Sequence, residues 1–289
     1  MYYLLIIFST VLFSLSNLFF ASYQKHEGDS LIKSYTNVFI GAIFAIIMLF
    51  FTGIGNLSFS FFSFFIALLA AINGTVCTVM SIKVFAIANL TIYSLFSMIG
   101  GMLLPFLFSI AFYNETFTFK KILCVILLIL ALLIGNPISK NQEKSSKKAI
   151  IYYIGVFVSN GLSGVFSKIH QAGETAVSAN SYTFMQKIII LFISTAIMIY
   201  FLFKKECIKL NYPIKSTTFI AGGGIFNTIA NIILLYALLH VDASVQYPLV
   251  TGGVIVFSML FDFIIGKKPT KRSIISVIVT CIGISLLAI

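Results

Sequence analysis

The chain has 289 residues, of which 60% are hydrophobic and 9% charged, with a formal net charge of +11 and a mean hydropathy of +1.07. Soluble domains carry about 25% charged residues, and 31 Phe with 13 Tyr cannot all be hidden in one water-facing core of this length. The composition excludes an ordinary soluble protein and makes lipid the solvent for most of its surface.

Stretches without Asp, Glu, Lys or Arg run over Met1 to Gln24, Ser34 to Ile82, Val84 to Asn114, Ser216 to Val241 and Ala243 to Phe261. Each has room for one or two membrane helices of about 20 residues. Divided at polar and glycine breaks, the sequence predicts ten helices, at 2–22, 34–52, 61–85, 90–112, 119–136, 149–170, 181–202, 217–239, 243–265 and 272–288. The first lacks a basic leader and a small-residue cleavage site, and is read as a permanent helix rather than a signal peptide. The runs are continuous rather than alternating, which argues against barrel strands. The extended polar stretch from Asn136 to Lys148 divides the chain into a five-helix unit (1–136), a basic linker (137–148) and a second five-helix unit (149–289).

The two units repeat. Ser34-Tyr35-Thr36 recurs as Ser181-Tyr182-Thr183, and the same offset sets Ser16-Asn17-Leu18-Phe19 on Ser163-Gly164-Val165-Phe166 and Gln24 on Gln171. Further along, Phe85-Ala86 matches Tyr236-Ala237, and Gly100-Gly101 matches Gly252-Gly253. Five is an odd number of crossings, so the second unit starts on the opposite side of the membrane from the first. The expected fold is therefore an all-α membrane protein of ten transmembrane helices arranged as two inverted five-helix repeats.

Basic residues orient it. Connections after odd-numbered helices (the odd loops) hold Lys25, Lys33, Lys140, Lys144, Lys147, Lys148, Lys204, Lys205, Lys209, Lys215, Lys267, Lys268, Lys271 and Arg272. Those after even-numbered helices (the even loops) hold only Lys120, Lys121 and Lys168. The odd loops are thus expected in the cytoplasm, with both termini outside. The same distribution removes the reason a strongly basic chain would otherwise give for a nucleic-acid partner. Cys77, Cys124 and Cys281 lie in apolar runs and Cys207 in a basic loop, a pattern that supports neither a disulfide framework nor a zinc site.

With this organisation the sequence resembles the EamA-type ten-helix branch of the drug/metabolite transporter superfamily over nearly its whole length. Beyond the two halves, the resemblance is carried by Ser16-Asn17, Lys168, Phe85-Ala86, Tyr236-Ala237, and by Asn114-Glu115 and Gly266 just after the fourth and ninth helices. The family usually reads Gly-Glu at the last two points. Asn114 replaces the first glycine and Lys267 the second glutamate, and Pro105 has no counterpart, its repeat position being Phe257. The resemblance implies a transporter, and it implies termini in the cytoplasm where the charge count implies the opposite.

Candidate functional residues follow from the cost of polar groups in lipid. Lys187 lies well inside the seventh helix beside Gln186, whereas the repeat positions Phe39 and Ile40 are apolar. It is expected either to bind an anionic group or to snorkel. Lys83 and Lys168, near helix ends, are expected to snorkel or cap. Asn227 and Asn231 share one face of the eighth helix, with Asn73 and Thr75 at the matching level of the third; such amides either glue helices together or face a solute. Tyr247 and Thr251 on the ninth helix, and Tyr93 and Ser97 on the fourth, give two matched polar, aromatic faces. Gly222-Gly223-Gly224 and the Gly-Gly pairs favour close helix approach, and none has the spacing of a nucleotide-binding loop. Asp262 is the lone carboxylate inside a span, and His170 with Glu174 and His240 with Asp242 are the local acid/base candidates an enzyme would draw on. Glu115 is expected to be structural, its charge favouring the start of the fifth helix.

The expected function is secondary active transport of a small anionic or zwitterionic metabolite, such as an amino acid, by alternating access at the plasma membrane. The expected chain is not an enzyme, needs no cofactor and acts as a monomer or homodimer, its coupling ion unassigned. A multidrug or quaternary-amine transporter, with aromatic side chains caging the cation, and a membrane enzyme on lipid-linked substrates are the alternatives.

Overall fold

A segment surrounded by lipid must satisfy its own backbone N–H and C=O groups, and a helix does so within one segment. The uncharged runs accordingly fold as helices. In the computed structural model the backbone is described for all residues except 28–30, 54–56, 88–89, 137–146, 204–212, 267 and 289. Ten helices result: α1 (Tyr2–Glu27), α2 (Leu31–Gly53), α3 (Phe61–Ile87), α4 (Leu90–Tyr113), α5 (Phe119–Gly135), α6 (Lys147–Gln171), α7 (Ala179–Phe203), α8 (Ile214–Ala237), α9 (Ala243–Ile264) and α10 (Lys271–Ala288). Each predicted helix is present, and α1 runs on past its expected end to Glu27. Most of the 137–148 linker, Cys207, Lys267 and the side chains of Gln24, Phe85 and Ala86 lie outside the described residues.

Among the described residues, eight of the helices are long and apolar enough to cross a membrane. The exceptions are α5, with 17 residues, and α10, whose 18 residues open on Lys271 and Arg272. At 1.5 Å per residue α5 reaches about 25 Å, short of a hydrocarbon core of about 30 Å. These two pack on each other, and Ser276 Oγ on α10 donates to the Ala131 carbonyl at 2.7 Å.

The helices of residues 1–136 scarcely touch one another; they pack between those of 149–289. α1 lies against α8 and α9, and α6 against α3 and α4; α3 meets α7 as α8 meets α2; and α2 with α7, α4 with α9, and α5 with α10 are paired. Exchanging each helix with the one five later reproduces this pattern. The match extends to single bonds. Ser16 Oγ donates to the Gly223 carbonyl at 2.9 Å where α1 crosses α8. Where α6 crosses α3, its repeat partner Ser163 receives Asn73 Nδ2 at 3.1 Å, and the same amide donates to the Ser159 carbonyl at 2.7 Å.

Small residues let these crossings close, as the glycine clusters suggested. A methyl group on Gly100 would overlap the Phe157 carbonyl of α6, so α4 and α6 meet backbone to backbone. The residues following α4 and α9 also correspond: Asn114 has φ 53° and Gly266 φ 90°. Both are left-handed, a conformation that glycine adopts freely and asparagine tolerates better than most residues. That equivalence accounts for asparagine at a position where the resembling family carries glycine.

Even loops gather at one end of the bundle. Ser58 N, before α3, donates to Ser181 Oγ at the start of α7 at 3.1 Å, and His170 Nε2 lies 3.0 Å from Ser63 Oγ. The helices therefore alternate in direction, as membrane threading requires.

Candidate solute-binding site

Two cavities of 540 and 550 Å³ lie along the bundle. The first faces the odd-loop end, between the start of α2 (Ser34, Tyr35, Asn37), the latter half of α3 (Thr75, Thr78) and Tyr93 on α4. The second faces the even-loop end, between the starts of α7 (Tyr182, Thr183) and α9 (Tyr247, Thr251) and the ends of α6 and α8. The tripeptide that revealed the repeat thus lines one cavity from each half: Ser34 and Tyr35 the first, Tyr182 and Thr183 the second.

The cavities share four lining residues, Ser163, Lys187, Ile190 and Asn227. Lys187 thus stands between two chambers that lead toward opposite faces. It makes no hydrogen bond or ion pair with the described residues. Neither lining contains Asp or Glu. A cation between helices, with no carboxylate beside it, is matched most economically by a negative group from outside the protein.

Of the other sequence candidates, Gln186, Asn231, Ser97, Tyr247 and Thr251 line the second cavity, Tyr93 lines the first, and Asn227 lines both. Asn231 Nδ2 donates to the Asn227 carbonyl at 2.7 Å and its Oδ1 at 3.0 Å, which fixes this pair of amides on one stripe of α8. Tyr247 OH donates to the Gly164 carbonyl at 2.9 Å. Asn73 lies in neither lining; it is buried and serves the α3–α6 crossing. Asn17, Asn160 and Thr183 line the second cavity without having been singled out as site residues. Asn160 Nδ2 is held by the Ser97 carbonyl at 2.6 Å and Ser97 Oγ at 3.1 Å. Its place one turn before Gly164 on the same helix was the available signal.

The ionic groups at the even-loop end correct three expectations. Glu115 does not serve α5, whose N-cap is Thr118, with Lys121 N donating to the threonine side chain. Its carboxylate instead receives Ala243 N at 2.9 Å and Ser244 N at 2.8 Å at the start of α9, and Lys168 Nζ at 2.8 Å. Burial alone would raise the Glu115 carboxyl, but Lys168, the Ser244 hydroxyl and the two backbone N–H groups hold it below the usual carboxylate range. The left-handed turn at Asn114 separates α4 from the Glu115 loop, and this long-range contact was invisible to local spacing. Lys121 is likewise no loop charge: it is 6% exposed, and its Nζ reaches Asp242 at 3.1 Å, Ser244 Oγ at 2.8 Å and Thr116 Oγ1 at 3.2 Å. Lys168 is an ion-pair member rather than a snorkelling residue, and Lys83 lies 5.5 Å above the Tyr152 ring. Three of the four candidate acid/base residues have other partners. His170 stacks on Tyr182 at 3.8 Å, His240 on Tyr2 at 4.0 Å, and Asp242 serves Lys121.

Ten helices packed around two cavities, eight of them able to cross a bilayer, define a multi-pass membrane protein. Residues 147–289 match the EamA-like transporter family, within the drug/metabolite transporter superfamily. One solved crystal structure of a protein 14% identical to this one aligns with a TM-score of 0.74, covering 98% of this chain and 94% of the other. At that identity the likeness shows the fold alone. No curated protein matches the sequence.

Proposed function

We propose that the protein is a secondary active transporter of a small anionic or zwitterionic solute, an amino acid or related metabolite, bound near Lys187 and moved by alternating access between two inverted five-helix halves, 1–136 and 149–289. The observation that carries this reading is the position of Lys187 between two cavities with no acidic side chain in either lining. Amides of Asn227, Asn231 and Gln186 and the hydroxyls of Thr183 and Thr251 supply neutral donors and acceptors for the rest of a polar solute. Tyr35, Tyr93, Tyr182 and Tyr247 would suit a quaternary amine, but the lysine charge opposes a cation at the same place.

A thermal-shift screen of the purified protein against amino acids, small carboxylates, nucleotides, sugars and quaternary amines tests the class. Carboxylates are expected to raise the unfolding temperature, since ligand bound only to the folded state stabilises it. Stabilisation by quaternary amines alone would overturn the assignment.

The orientation we propose places the odd loops in the cytoplasm of a plasma-membrane protein and both termini outside. Two of the three even-loop lysines, Lys121 and Lys168, are matched by Asp242 and Glu115, which leaves Lys120 as that end's unpaired cation among the described residues. The orientation itself rests on the count of Lys and Arg in the loops, fourteen after odd-numbered helices against three after even-numbered ones. A reporter active only in the cytoplasm and fused after Ile289 is expected to stay silent, and a strong signal would reverse the topology.

A further inference from the structure

Solute recognition leaves the charged cluster at the even-loop end unused. Glu115, its side chain 4% exposed, ties the first turn of α9, through Ala243 N and Ser244 N, to the end of α6, through Lys168. One turn deeper α9 and α6 are tied again, by Tyr247 OH on the Gly164 carbonyl. Tyr247, Gly164 and Ser167 all line the second cavity at this end. Lys121 draws α5 to the same turn of α9 through Asp242 and Ser244. The short loop between α4 and α5 therefore clamps the ends of two helices that form the rim of that cavity. The charges of Glu115 and Lys168 are nearly out of water, where separating an ion pair is most costly.

The repeat shows that the clamp is one-sided. Adding the offset of the Gly-Gly pairs, 252 − 100 = 152, to 115 gives Lys267 as the counterpart of Glu115. Subtracting that of the tripeptides, 181 − 34 = 147, from 168 gives Ala21 as the counterpart of Lys168. The odd-loop end therefore has neither the carboxylate nor the ammonium at the corresponding positions. Two halves that exchange roles would be balanced in energy if both ends were tied alike, and at these equivalent positions only the even-loop end carries a carboxylate–ammonium pair.

We propose that the Glu115–Lys168 pair, with its cap on α9, is a latch that holds the even-loop end shut, so that the resting carrier opens to the odd-loop side. The latch must part each time solute passes the even-loop face. The inference rests on the alternating-access reading of the two cavities. Losing one charge-assisted hydrogen bond shifts a two-state equilibrium by roughly ten- to a hundredfold.

The test uses the full chain in detergent, with Cys77, Cys124, Cys207 and Cys281 replaced by serine and one reporter cysteine introduced, either Thr251→Cys in the even-loop cavity or Thr78→Cys in the odd-loop cavity. Glu115→Gln is expected to raise the rate of maleimide labelling at Thr251→Cys at least about threefold, a fraction of the full shift, and to lower it at Thr78→Cys. Lys168→Met leaves the two backbone bonds of the cap in place and is expected to act in the same direction but less. Should Glu115→Gln fail to give monodisperse protein, Lys168→Met carries the test. Equal acceleration at both reporters would mean general loosening, and unchanged rates in well-folded protein would mean no latch; either overturns the proposal. Labelling is read without solute, so a failed ligand screen leaves this result intact, and a failed labelling test leaves the solute reading intact.

Discussion

Lys187→Met is expected to weaken solute binding about ten- to a hundredfold, the loss of one charge-assisted hydrogen bond. Methionine keeps the apolar stem and removes the charge, so the cavity walls formed by Ile190 and Asn227 should keep their shape. Lys187→Arg is expected to retain part of the affinity, because the charge survives while the compact ammonium becomes a broad planar fork. Counterflow in proteoliposomes, with the solute the thermal screen selects, reads both. Unchanged affinity in Lys187→Met would show that the lysine only snorkels toward the interface.

Glu115→Ala is expected to lower stability by about 3 kcal/mol, well beyond the helix-end effect its local position suggested, because it leaves the largely buried Lys168 without its carboxylate and unpairs two N–H groups of α9. The associated pH dependence has a definite sign. The carboxyl of Glu115 is depressed in the folded protein, so its contribution is fully present above the unfolded value of about 4.3 and is lost as pH falls through the folded value. Unfolding temperatures of wild type and Glu115→Gln should therefore run parallel from pH 7 to 5 and converge below about 4. The chain has no Trp, so unfolding is followed by tyrosine emission or by loss of the monodisperse peak. A gap between the two proteins that persists undiminished to pH 3 would remove Glu115 as the titrating group.

Helices were legible because lipid leaves the chain few choices: an uncharged run of about 20 residues has to form one. The repeat was legible because Ser34-Tyr35-Thr36 and Ser181-Tyr182-Thr183 keep their polar atoms at places where two helices and a cavity meet. Lys187 stood out by the same logic, as a charge whose repeat partners are apolar. What stayed hidden is long-range. The loop spacing of Glu115 and Lys121 gives no hint that α9, more than a hundred residues away, supplies their partners. For Asn73 both readings were open from sequence, and only the crossing with α6 decides for glue, since its amide is spent on Ser159 and Ser163.

The interleaving of the two halves bears on how the protein is made. When α5 leaves the ribosome, α1 lacks α8 and α9, and α3 lacks α6 and α7. At about 5 to 20 residues per second the remaining half takes on the order of ten seconds to follow. Within that interval the amide of Asn73 sits in lipid until the segment carrying Ser159 is inserted, and the hydroxyl of Ser16 until the one carrying Gly223. The nascent first half is thus an orphan whose polar groups invite rival pairings, and it is in this window that membrane chaperones and proteases would find it.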